Sequence, residues 1–373
     1  PWCQQKIHTH QTYRRSEITV RVIKKNRLEK LEAVRGFAAL YVVFFHTLPQ
    51  KIYLGGINIG ALFRFGPEAV IVFFALSGFV IKYTYERSKD KSFRYYFIRR
   101  FIRLYIPLLF IFLLGYLIKC YNEGGVASPE WGTLLGNIFM LQDVISQKPN
   151  VISAAYMGNG VLWSLSYEWW FYMLFFVLAK NIPAGKLNKW VNIIVITGAA
   201  TYLIYPFIVN RLAMYFGIWW IGVRFAEMYM KGEPITMRSI LPYAYVLFGI
   251  TAILGLNLYL NYSWTKIYSY PLVAYPFIEL RHFIFAIMVM FGAVIWKNLK
   301  WVGFNTLFGA FKYLAPCSYV IYISHHYLVV EATYLNFIPN KVVEYGLYII
   351  LMILFSYLLE VVVYDRIRKK LIG

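Results

Sequence analysis

Charge is scarce in this chain. Only 15% of the 373 residues are Asp, Glu, Lys or Arg and 60% are hydrophobic, where soluble domains carry about 25% charged and 45–50% apolar residues. That departure excludes an ordinary soluble domain. Acidic residues are the scarcest, 17 against 38 basic, for a formal charge of +21. A nucleic-acid binder would gather such an excess into one basic patch on a soluble fold. Here the basic residues fall in short runs between apolar stretches, so no nucleic-acid partner is expected. Cysteine is nearly absent. Cys3, Cys120 and Cys317 form neither CxxC nor metal-ligand spacing, so neither a disulfide framework nor a metal site is expected. The first thirty residues hold no apolar core of about 7–15 residues, so no cleavable signal peptide is read there. Residues 1–26 are a polar, basic segment with no fold assigned.

What the chain has instead is long apolar runs. A helical span needs about 20 largely apolar residues. Ten stretches qualify: 31–50, 66–85, 101–119, 161–180, 190–209, 212–230, 240–260, 280–296, 315–335 and 345–364. The expected fold is all-α, a polytopic membrane bundle of about ten helices over residues 27–373, read as one domain without an appended soluble domain. The fifth and sixth stretches meet at Asn210 and Arg211, a tight hairpin. "WVGFNTLFGAFKYLAP" before the ninth reads as an interfacial helix or as half of a broken one, so one span fewer or more stays open. Assigning alternate sides puts 30 of the 38 basic residues with the two termini. The other side holds Lys51, Arg64, Lys119, Lys148, Arg211, Lys266, Arg281 and Lys341. The positive-inside rule then places both termini in the cytoplasm and the 120–160 loop outside.

The first stretch, "LEAVRGFAALYVVFFHTLP", contains two costly residues, Arg35 and His46. Eleven helical steps bring them within about 20° of the same face, roughly 16 Å apart along the axis. A snorkelling anchor would account for Arg35 alone, and a hydrogen bond to another helix for His46. Together they suit a longer ligand. Arginine binds phosphate, neutral imidazole takes protons, and the separation matches an extended phosphopantetheine arm. One face would then hold coenzyme A phosphates at Arg35 and the thioester beside His46.

The arginine-x10-histidine pattern resembles the first-helix signature of the acyltransferase-3 family of integral membrane O-acyltransferases. Further segments are similar in order: "FFALSGFVI" (73–81), "RRFIRLYIPLL" (99–109), "LWSLSYEWWFYMLFF" (162–176) and "SYVIYISHH" (318–326). Together they span residues 31–335. Two positions depart from the family pattern. Ile71 stands where many members have an acid, the nearest being Glu68, and Trp169 follows Glu168 where several members have a second acid or a glutamine.

The resemblance gives the other polar residues expected roles. Arg100 and Arg103 share a face as an i, i+3 pair and would join Arg35 on the acyl-CoA phosphates, with Arg99 an inner-side anchor. Glu168 is expected at the depth of His46, orienting it or binding the acceptor, with Ser164 one turn earlier donating to its carboxylate. Trp163, Tyr172 and their aromatic neighbours would stack a sugar or form an interfacial belt. Tyr322 and His325 would bind the acceptor or support the core, His325 ranking behind His46 as a base. Ser77-Gly78 reads as a helix-packing element and His282 as solvated.

The expected activity is transfer of an acyl group, most simply acetyl, from cytoplasmic acetyl-CoA to a hydroxyl of an exported or cell-surface carbohydrate or glycolipid. The acyl-CoA would be a co-substrate and no cofactor would be bound permanently. The place would be the bacterial inner membrane. A transporter or flippase is the rival. It would use the same buried charges but should carry inverted repeats, and the sequence offers no such symmetry.

Overall fold

The computed structural model describes residues 28–49, 51–268 and 270–372. The polar segment 1–26 and Cys3 lie outside them. All ten apolar stretches are helical over most of their length. The helices are α1 (28–47), α2 (Gly66–Arg87), α3 (Phe93–Glu123), a short α4 (Trp131–Ile138), α5 (Trp163–Asn181), α6 (Ala184–Ile204) and α7 (Ile208–Lys231). They continue with α8 (Met237–Asn261), α9 (Ile278–Asn298), a short α10 (Phe304–Phe308), α11 (Ser318–His325), α12 (Lys341–Tyr357) and α13 (Tyr364–Ile372). Among the described residues strand is confined to one hairpin, β1 (Tyr53–Leu54) with β2 (Ile57–Asn58), turned by Gly55 and Gly56 at positive φ.

Seven helical segments are long and apolar enough to cross a membrane: Ile59–Arg87, Phe93–Glu123, Gly160–Asn181, Ala184–Ile204, Met237–Asn261, Ile278–Asn298 and Lys341–Leu371. The chain is an all-α polytopic bundle. The other three expected spans differ for physical reasons. The first half of α1 carries Glu29, Lys30, Glu32 and Arg35. Helix α7 carries Asn210, Arg211, Arg224 and Glu227, and it tolerates them by lying at the centre of the bundle. There Met214, Tyr215, Phe216, Trp219 and Val223 are all fully buried, so protein rather than hydrocarbon surrounds its polar groups. The ninth stretch is a broken helix. Its α-helical part, α11, passes into a π-helical turn at His326–Val330 and stops, too short to span on its own.

Two glycines let α7 lie against α2. A methyl group on Gly78 would overlap the Trp219 carbonyl, and one on Gly222 would overlap that of Ala75. This is the small-residue contact that brings helix backbones together. Helix α3 also starts earlier than its apolar run suggests. Ser92 caps it by accepting from the Tyr95 N–H at 3.4 Å. Arg99, Arg100 and Arg103 therefore sit inside the helix, in its second and third turns, rather than at its opening.

Candidate active site

Five helices enclose a cavity of about 310 Å³. Arg35 enters from α1, Ser77 from α2, Arg100 and Arg103 from α3, Ser164, Glu168 and Tyr172 from α5, and Tyr319 and Tyr322 from α11. On α2 the lining runs from Val70 to Tyr83, thirteen steps or about 20 Å. Gly66 at the start of α2 faces Phe45, and Phe79 and Tyr83 pack with Leu28 and Leu31. The Val70 end therefore lies toward His46 and the Tyr83 end toward the start of α1.

The three arginines are not equivalent. Arg103 forms an ion pair with Glu360, which is 3% exposed and also accepts from the Val320 N–H at 2.9 Å. Glu360 sits in a π-helical stretch, Leu358–Val363, a form that recurs at functional sites. Among the described residues Arg100 donates only to the Thr84 hydroxyl at 3.3 Å, and it lies 5.9 Å from the Tyr172 ring. Arg35 has no carboxylate within ion-pair distance among the described residues, and its Nε, like that of Arg100, is buried without a hydrogen-bond partner there. Two guanidinium groups thus keep unused donors beside one cavity. Such forks suit phosphate oxygens.

Glu168 is held by hydroxyls. Its Oε1 accepts from Ser77 Oγ at 2.7 Å and from Tyr172, and the Trp219 indole donates to Ser77 Oγ at 3.2 Å. The expected donor, Ser164, is engaged elsewhere. The Tyr322 hydroxyl gives its proton to the Val161 carbonyl at 2.7 Å, so across the 2.9 Å Ser164–Tyr322 contact the serine must donate. Ser77 takes the place expected of Ser164, a role its reading as a packing element missed. Glu168 therefore belongs to the arginine cavity, and the expected support of His46 is not its observed environment.

The histidines form a second group, one turn beyond Tyr322. The His46 ring lies 5.3 Å from that of His325, tilted by 35°. His46 is exposed and His325 fully buried. His325 Nδ1 contacts the Tyr322 carbonyl at 2.7 Å. A carbonyl only accepts, so Nδ1 carries the hydrogen and Nε2, which has no partner, keeps its lone pair in the neutral ring. Neither histidine lines the cavity. The structure unites Arg35, Arg100, Arg103, Ser164, Glu168, Tyr172 and Tyr322 around it and pairs His46 with His325 beyond its Val70 end.

A second buried charge cluster lies between α5, α7, α9 and the loop before α5. Asp143 accepts from Lys148 Nζ at 2.9 Å and from the Tyr167 hydroxyl at 2.8 Å, and pairs with Arg211 Nε at 3.4 Å. Glu279 completes a set of two acids and two bases, with Lys148 and Arg211 as electrostatic neighbours. Trp163 belongs here and not to the cavity. Lys148 Nζ sits 3.8 Å above its ring and His282 stacks on it at 6.1 Å, so no sugar can use that face. His282 is fully buried rather than solvated, its Nδ1 2.6 Å from the Tyr215 hydroxyl. Of the aromatic crowd on α5, Trp170 alone is exposed, and Tyr167, Trp169 and Tyr172 are buried. Lys148 and Arg211, read as outer-side charges, are interior groups.

Comparison with known proteins gives a family match and one partial relative. The sequence model of the acyltransferase-3 family, described as an acyltransferase domain, matches residues 28–361. Among curated proteins the chain is similar to acyltransferase MdmB of Streptomyces mycarofaciens, 32% identical over 169 residues. The match covers 43% of this chain and 42% of the relative, so the chain spans less than half the length of the curated protein it matches. No solved structure matches.

Proposed function

Because the chain belongs to the acyltransferase-3 family, a membership its residues 28–361 establish, we propose that it is a membrane acyltransferase using acyl-CoA. The donor in this reading is acetyl-CoA from the cytoplasm, and the acceptor is a hydroxyl of an exported or cell-surface carbohydrate at the bacterial inner membrane. The observation that carries it is the pair of arginines, Arg35 and Arg100, with unused buried donors on one elongated cavity. Coenzyme A brings several phosphate charges, and a cavity of about 310 Å³ is within the range of ligand pockets.

In this reading the phosphates bind at Arg35 and Arg100 near the start of α1. The pantetheine arm lies along α2 toward Val70, with the thioester at the Tyr322 end. The acceptor enters from the His46 side. Its hydroxyl oxygen attacks the thioester carbonyl, His46, with His325 beside it, takes the hydroxyl proton, and the carbon–sulfur bond breaks. The coenzyme A thiolate then recovers that proton. Glu168, fixed by Ser77 and Tyr172, offsets the arginine charge beside the arm. Both termini on the cytoplasmic side put Arg35 where acyl-CoA is made.

The test is transfer of radiolabelled acetyl groups from acetyl-CoA to cell-surface glycan in cells carrying wild type, His46→Ala or Arg35→Ala, each checked for membrane insertion. His46→Ala should abolish labelling, and normal labelling by that variant would overturn the catalytic assignment. Arg35→Ala should raise the acetyl-CoA concentration needed for half-maximal rate.

A further inference from the structure

The second-helix segment "FFALSGFVI" contributes more than Ser77 and Gly78. Phe73 is one turn before Ser77 on the same helix face, half-buried and lining the cavity. Its ring centre is 5.8 Å from that of Tyr322, tilted by 53°. Tyr322 is fixed at three points: its hydroxyl donates to Val161, accepts from Ser164, and its carbonyl meets His325 Nδ1. Phe74, the next residue on α2, is locked among Trp163, Tyr167, Phe171 and Tyr215. Phe73 itself, set against the fixed Tyr322 ring, is held by packing alone. It stands toward the Val70 end of the cavity, on the side from which His325 extends beyond Tyr322.

We propose that Phe73, backed by Tyr322, sets the length of acyl chain that the cavity takes, admitting a two-carbon acyl group and refusing chains of about six carbons. The inference rests on the donor placement proposed above. With the phosphates at Arg35 and Arg100, the arm directs the acyl group at this ring pair. Each further methylene has to enter volume that the Phe73 ring fills. Apolar pockets discriminate one methylene by roughly 10- to 200-fold, and a rigid wall rejects excess length more strongly than a mobile one. Tyr322 cannot yield without giving up its bonds, so the specificity lies with Phe73.

The experiment measures competition of acetyl-, butyryl- and hexanoyl-CoA against labelled acetyl-CoA on the purified full chain, for wild type, Phe73→Ala, Phe73→Leu and Tyr322→Phe. Wild type should prefer acetyl- over hexanoyl-CoA by about 100-fold or more. Phe73→Ala should bring that ratio within about tenfold, mainly by tighter hexanoyl-CoA binding. Phe73→Leu should fall between them, and it carries the test if the alanine variant does not fold. Tyr322→Phe keeps the ring but frees it from Val161 and Ser164, and it should lower the ratio by less than Phe73→Ala does. Binding without chain-length preference in wild type, or an unchanged ratio in both folded Phe73 variants, overturns the inference alone. If no coenzyme A thioester competes for wild type, the donor reading itself fails.

Discussion

Two clusters of buried charge lie on adjacent stripes of one helix. Trp163 and Tyr167 of α5 face the Asp143, Lys148, Arg211 and Glu279 set. Ser164 and Glu168, one residue further along, face the arginine cavity. A rotation of about 100° separates them. The first cluster is balanced, two acids against two bases, and its four members are at most 4% exposed. It fastens the loop between α4 and α5 to the bundle, because Arg211 also donates to the Pro149 carbonyl at 2.9 Å. The second surrounds open volume, and although Glu32 and Glu168 also line it, Arg35 and Arg100 are in no ion pair with the described residues. Buried charges that only hold a fold together are paired to neutrality, because an unpaired charge in the interior is costly. Where arginines keep unused donors on a cavity, the compensating charge is one a ligand can bring.

This contrast predicts opposite responses to substitution. Asp143→Ala leaves two cations against Glu279 in a sealed interior and should destabilise the protein by about 3–5 kcal/mol, read as a lower melting temperature in detergent or as failure to accumulate. Replacing the ion pair together, with Asp143→Ala and Lys148→Met, keeps the cluster neutral and should recover at least half of that loss. A double variant no better than the single one would mean that loop packing, not charge balance, holds the region.

Arg103 sharpens the comparison from inside the cavity. It lines the cavity, yet it is paired to Glu360, so it should behave like the balanced cluster. Arg103→Ala strands the Glu360 carboxylate and should cost about 3 kcal/mol of stability. Arg35→Ala breaks no ion pair and should change stability by less than about 1 kcal/mol. Its effect should fall on the donor. Acetyl-CoA affinity should drop by about 10- to 100-fold, the value of one or two charge-assisted hydrogen bonds. Equal melting temperatures for the two variants would erase the distinction.

Much of this fold is legible in the sequence. The apolar runs located the helices because hydropathy is a local property, and the arginine-x10-histidine spacing placed Arg35 and His46 on one face of α1 about three turns apart because helical phase is also local. Partners were not legible. Nothing near Glu168 in sequence indicates that Ser77, 91 residues away, donates to it. Glu360 reads as a lone acid in the last apolar run, a signal that was available and pointed to a buried partner, though not to which one. Charge counting by side misread Lys148 and Arg211, because a loop that folds back into the bundle buries residues that a linear topology leaves outside. His282 was misread in the same way.

Ser77→Ala probes the cavity's own carboxylate. It removes one of the two hydroxyls bonded to Glu168 and the acceptor of the Trp219 indole. The loss should be about 1.5–2 kcal/mol, typical of a hydrogen bond to a charged group. Threonine, which restores a hydroxyl, should recover part of it. If Ser77 served only to let α2 approach α7, alanine would be neutral and threonine harmful. The two variants therefore separate a polar role from a packing one by the sign of their difference in melting temperature.

The smallest expected effect tests whether the cavity and the histidine pair act as one site. Tyr322 belongs to both, through its ring and hydroxyl on the cavity side and its carbonyl at His325 Nδ1. Tyr322→Phe deletes the hydroxyl and keeps the ring and the carbonyl, so His325 retains its orientation. The Val161 carbonyl loses a donor, while the freed Ser164 hydroxyl can turn toward the Glu168 carboxylate one turn along α5. One neutral hydrogen bond is worth about 1 kcal/mol, and the rearrangement of Ser164 offsets part of it. The variant should therefore melt only slightly earlier, bind acetyl-CoA as wild type does and turn over at a rate within about threefold of it. A much larger fall in turnover at unchanged donor affinity would show that the phenol takes part in the chemistry. The base would then have to be sought at Tyr322 as well as at the histidine pair.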